Sequence, residues 1–174
     1  LAEINMSAKK KPSSPAARRA EELPALRRVL VTTDFSELGD QAIPFAYALA
    51  GHGGVVRLLH VVEPYELPGP LVPHYERRRP TKREHIQHKN DCARRLEALV
   101  PAGAAGREIV TETEVIEDHR PARAICRAAE AFEADAICLA SHGRSALLRA
   151  VLGSVAAEVL AGTRRPVFLI RPRK

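Results

Sequence analysis

The chain has 174 residues, 45% of them apolar, 4% aromatic and none Trp, so it has room for one domain whose core is built from Val, Ile, Leu and Ala. Seven Lys/Arg against three Glu give residues 1–28 a charge of +4, residues 171–174 add +3, and residues 29–170 carry the remaining −1 of the net +6. The basic excess therefore sits at the two ends, which argues against a folded body that binds nucleic acid.

Residues 1–27 are rich in Lys, Arg, Pro, Ser and Ala without helical periodicity, and read as a mobile basic tail. Met6, after "LAEIN", is a candidate native start. From Arg28 the character changes. "RVLVTT" is a β-branched run that reads as a buried strand ending at Asp34, and Ser36 is placed to cap a helix over 37–51. Leu38, Ala42, Phe45, Ala46 and Leu49 are its expected core residues, with Pro44 bending it. The second strand is "VVRLLHVVE", residues 55–63, followed by a loop with five prolines.

"TKREHIQHKNDCARRLEALV" predicts an amphipathic helix with Ile86, Ala93, Leu96, Leu99 and Val100 on its apolar stripe. "EIVTETEVIE" alternates as a third strand. Pro121 opens a helix that buries Ala122, Ile125, Ala129 and Phe132. "DAICLA" is the fourth strand, a helix capped by Ser154 ends near Gly162, and "PVFLI" is the fifth strand.

Strict alternation with right-handed crossovers predicts a three-layer α/β sandwich, a parallel sheet with helices on both faces. Ligands in such sheets bind beyond the carboxyl ends of the strands, where strand order reverses. The polar or small residues expected there are Thr33 and Asp34, then Val62 and Glu63, then Ala140 to Gly143. No run is long enough to span a bilayer, the longest being "AIPFAYALA". Without a secretory signal or a CxxC pair among Cys92, Cys126 and Cys138, a cytoplasmic, reduced setting is expected.

"VTTDFSE", "LLHVVEP", "EADAICLASHGRS", "VLGSVAAEVL" and "RPVFLI" follow the order and approximate spacing of the universal stress protein family, which residues 28–171 resemble. The resemblance implies an adenine nucleotide alpha hydrolase-like fold with five strands ordered 3-2-1-4-5, and a homodimer paired through the last strand, residues 166–171. It also implies ATP, with Mg²⁺ or Mn²⁺ on its phosphates, as the ligand of some members, bound through G-x2-G-x9-G-[ST].

Laid on this chain, that motif falls on Ala140, Gly143, Gly153 and Ser154, with alanine in place of the first glycine. Asp34, beside Thr33, would receive the ribose, and main-chain groups near Val62 would read adenine. Leu139 and other apolar neighbours would flank the base. Ser141, His142, Gly143, Gly153, Ser154 and Val155 would frame the phosphates with main-chain N–H groups at a helix start.

The expected function is a stress-response switch or sensor. The competing class is a nucleotide-free dimer that binds an unidentified protein partner. Catalysis has little support: no HExxH, no Walker lysine pattern and no nucleophile–base–acid set occurs. A third reading, hydrolase or nucleotidyl transferase, would rest on fold similarity alone. His85, His88 and Cys92 share one helical face at metal-ligand spacing, but without an evident fourth ligand they read as structural.

Overall fold

Five parallel strands form one sheet: β1 (Arg28–Thr32), β2 (Val55–Val62), β3 (Val110–Glu117), β4 (Ala136–Ala140) and β5 (Val167–Ile170). Their order is β3-β2-β1-β4-β5, in a computed structural model that describes residues 25–65, 80–141 and 152–171. This is the order of the adenine nucleotide alpha hydrolase-like fold. Val29 of β1 lies between Val56 of β2 and Ala136 of β4, and Leu30 between Arg57 and Ile137. Neighbouring strands therefore place their apolar side chains on the same face.

Helices cover both faces, so the inner strands read as mostly apolar runs, with Arg57 and His60 of β2 as the exceptions among its residues. On one face α2 (Ala42–Ala50) and α3 (Lys82–Ala98) pack on Val29, Val31, Val56, Leu58 and Cys138. On the other, α4 (Pro121–Ala131) and α5 (Ser154–Gly162) pack on Leu30, Leu59, Ile137 and Leu139. Each buried Val, Leu or Ile contributes roughly 1.5–3 kcal/mol of transfer free energy. Ala122, Ile125, Ala129 and Phe132 are all buried, as the pattern after Pro121 predicts.

The helix expected over 37–51 is two helices, α1 (Glu37–Asp40) and α2, separated by Gln41. Pro44 explains the break. It has no N–H to donate to the carbonyl four residues back, which belongs to Asp40, the last residue of α1, and its ring crowds that carbonyl. The interruption turns Phe45 outward to 41% exposure, against expectation, while Ala42, Ile43, Ala46 and Tyr47 are buried.

On α3 the buried stripe is His85, Cys92 and Leu96, whereas Ile86 is 50% exposed. Thr81 caps this helix through a capping box with Glu84. Ser154 is the first residue of α5, not its cap; Gly153 holds that place, and the helix ends at Gly162 as expected, with Thr163 as its C-cap. The two edges of the sheet differ. β3 carries Glu112, Thr113 and Glu114, while β5 is Val-Phe-Leu-Ile throughout.

Candidate functional site

The sheet order reverses between β1 and β4, and a cavity of about 280 Å³ lies at their carboxyl ends. Thr33, Asp34, Leu139, Ala140, Ser141, Gly153, Ser154 and Val155 all line it. Ser141 brings the two halves of the glycine pattern together. Its N–H donates to the Ile170 carbonyl, and its own carbonyl accepts from the Gly153 N–H, each at 2.8 Å. Residues twelve positions apart are thereby neighbours. His142 and Gly143 lie outside the described residues.

Ala140 is the last residue of β4, in register with Ile170 of β5. Among the described residues, only Phe35, Glu108 and Glu133 are non-glycines at positive φ. The φ at position 140 is therefore one that any residue adopts, and alanine differs from glycine there only by a methyl group. Gly153 leads into α5 without a side-chain cap, and Ser154, Val155 and Ala156 of the first turn line the cavity. The first-turn N–H groups of a helix have no intrahelical acceptor and favour an anion. Pro121 and Ile125 of α4 complete the wall on that side.

Asp34 sits in a short loop of interlocking polar bonds. Its Oδ1 accepts from the Ser36 hydroxyl at 2.5 Å and the Ser36 N–H at 3.1 Å, and Ser36 Oγ in turn accepts from the Gly39 N–H at 3.0 Å, capping α1. Thr33 Oγ1 donates to Asp40 Oδ1 at 2.6 Å and accepts from the Phe35 N–H at 2.8 Å. Gly39 lies beneath the carboxylate: a Cβ there would stand 2.5 Å from Asp34 Oδ1. Any larger residue at position 39 must turn the Asp34 side chain aside.

A second cavity, of about 740 Å³, adjoins the first through Asp34, His60 and Val61. Val62 lines only this second space, while Val61 lines both. Its rim includes His85, His88 and His119. His85 Nε2 is buried and lies 3.4 Å from Glu117 Oε2, but the angle makes no hydrogen bond. Glu117 also pairs with Lys89, whose hydrogen bond is the chief cause of its lowered pKa.

Cys92 Sγ approaches His88 Nε2 at 3.7 Å within one turn of α3. No group of three or more His, Cys, Asp or Glu among the described residues is arranged to hold a metal ion. Cys138, in mid-sheet, has its thiol pushed up to about 12 by burial.

Sequence reasoning missed eight cavity residues, among them Thr32, Gly39, His60, Val61 and Pro121. His60 carried a signal, as the one polar side chain in the six-residue stretch "LLHVVE" before its acid. Apart from Thr32, which reads as the end of a strand, the others are apolar or glycine and look like core.

A family model described as the universal stress protein family matches residues 25–171. The hypothetical protein MJ0577, the subject of a structure-based assignment of biochemical function, superimposes with a TM-score of 0.67 at 21% identity, over 87% of this chain and 99% of its own. A universal stress protein solved in complex with cAMP gives 0.58 at 18% identity, over 86% and 100%. One from Archaeoglobus fulgidus in complex with dAMP gives 0.53 at 20% identity, over 85% and 100%. No curated protein matches the sequence.

Proposed function

The chain belongs to the universal stress protein family, and from that premise we propose that it binds ATP or a related adenine nucleotide in the first cavity and acts as a nucleotide-dependent switch or sensor in the cytoplasm. The observation that carries this reading is the convergence of Asp34, Ser141 and the uncapped start of α5 on one cavity at the reversal of strand order. Structural neighbours solved with cAMP and dAMP support it.

In this reading residues 28–171 form the nucleotide-binding domain between two basic ends. Asp34 takes the ribose hydroxyls, with Thr33 holding its loop. Leu139 flanks the base, main chain at Val61 or Val62 reads its edge, and Val155 continues the frame at the start of α5. Ala140, Ser141, His142, Gly143, Gly153 and Ser154 frame the phosphates. Asp34 is the one carboxylate among the described lining residues. A Mg²⁺ or Mn²⁺ ion would therefore be held chiefly by phosphate oxygens, which suits a site for the metal–nucleotide complex.

The apolar β5 edge supports pairing of residues 166–171 with a second copy, since an exposed edge of that kind templates aggregation. Sedimentation showing only monomer at micromolar concentration would remove the dimer.

Titration calorimetry with ATP and Mg²⁺ tests the reading directly. Saturable binding is expected; no heat and no thermal shift at millimolar nucleotide would end it. The second reading, a nucleotide-free dimer that binds protein partners, is favoured by the alanine at position 140. It is upheld if wild type fails to bind and Ala140→Gly alone creates ATP binding.

A further inference from the structure

Asp34 is bracketed by two residues that a single side chain holds. His60, on β2 and only 7% exposed, places Nδ1 2.8 Å from the Thr33 carbonyl oxygen. A carbonyl only accepts, so Nδ1 carries a proton and donates it to Thr33. The same imidazole packs on the Phe35 ring with centroids 4.3 Å apart, and the Arg95 guanidinium covers Phe35 at 4.0 Å.

Phe35 stands at φ 60, a left-handed conformation that a bulky side chain adopts only when its surroundings hold it there. Residues 33 and 35 are thus pinned on either side of Asp34, one by hydrogen bond and one by ring contact. His60 also lines both cavities at the point where they meet.

We propose that His60 is the positioning residue of the site: through Thr33 and Phe35 it sets where Asp34 presents its carboxylate, and so confers selectivity for a ligand bearing vicinal ribose hydroxyls. This rests on the nucleotide reading above and adds to it the residue that aims Asp34. His60 and the ribose hydroxyls are then energetically coupled, although His60 need not touch them.

The test pairs two variants with two nucleotides. His60→Phe keeps an aromatic ring but loses the donor to Thr33; His60→Asn keeps an N–H near the Nδ1 position. Calorimetry is run on both and on wild type with Mg-ATP and with Mg-2′,3′-dideoxy-ATP. His60→Phe should weaken ATP about tenfold and change the dideoxy analogue less than twofold, because the contact being aimed is already absent there. His60→Asn should recover most of the ATP affinity.

Equal loss for both nucleotides, or no recovery in His60→Asn, overturns the proposal and leaves a merely structural histidine. A wild type that binds neither nucleotide overturns the parent reading as well. A ligand-free measurement stands beside these: nitrogen-correlated NMR of the wild type should show the His60 proton on Nδ1. Finding it on Nε2 alone would also overturn the proposal.

Discussion

Asp135 and Asp34 lie at opposite ends of the central strand and both accept main-chain N–H groups, but from different kinds of partner. Asp135 Oδ2 accepts from the N–H groups of Arg27 and Arg28, each at 2.8 Å, across 108 and 107 positions of sequence. The Arg28 side chain adds to that junction, donating from Nε to the Phe132 carbonyl at 2.8 Å and lying over the Phe132 ring at 4.3 Å. Asp34 is bonded to Ser36, two residues away, and faces two cavities. A carboxylate that joins distant segments is spent on closing the sheet. One that accepts from a residue of its own turn and lines a cavity at the reversal of strand order is placed to meet a ligand.

The largest expected effect is on stability, at the Asp135 end. Asp135→Ala leaves two main-chain N–H groups without their charged acceptor and should cost about 2–3 kcal/mol in denaturant unfolding, with nucleotide affinity unchanged. Cys138 gives a second readout. With its thiol pushed up to about 12 by burial, it resists alkylation in the native fold at pH 8, and Asp135→Ala should speed its labelling through more frequent opening.

Asp34→Ala should do the reverse, lowering nucleotide affinity about tenfold (about 1.4 kcal/mol) while stability changes by less than about 1 kcal/mol. If Asp34→Ala mainly unfolds the protein, or Asp135→Ala mainly weakens binding, the contrast between the two ends fails. Ser36→Ala lies between them: it removes the α1 cap and one Asp34 bond, so about 1 kcal/mol of stability and a smaller affinity loss are expected together.

The smallest effect concerns a third aspartate, outside both regions. Asp118 accepts from the Arg120 N–H at 2.8 Å, just before α4, and this bond leads the causes that lower its pKa, with the Arg127 charge assisting. A carboxyl whose native pKa is depressed contributes stability above its unfolded pKa and loses it as pH falls through the native value. Asp118→Asn should therefore lower stability slightly at neutral pH, leave the acid end of the profile nearly unchanged, and so flatten the acid limb. An unchanged acid limb would show that the bond carries no weight.

Much of the architecture was legible because buried parallel strands read as short apolar runs, and helices between them start and stop at Pro121, Thr81 and Gly51. Periodicity did less well where a helix is apolar on several sides. In "AIPFAYALA" periodicity put Phe45 in the core, but packing chose Tyr47, whose hydroxyl bonds Thr111 Oγ1 at 2.8 Å. On α3 Leu96 is buried as expected, but His85 and Cys92 take the buried places expected of Ile86 and Ala93, and His85 packs against Tyr65 and faces Glu117.

From sequence alone come the alternation of strands and helices, the motif residues and their spacing, and the turn that carries Asp34, all governed by relations within a few positions. The tertiary structure decided which of these residues meet. Ser141 is held to Ile170 because β4 and β5 are in register, its carbonyl meets Gly153 at the start of α5, and His60 reaches Thr33 and Phe35 because β2 lies beside β1. Strand pairing sets contacts between segments far apart in the chain, and no local pattern encodes them.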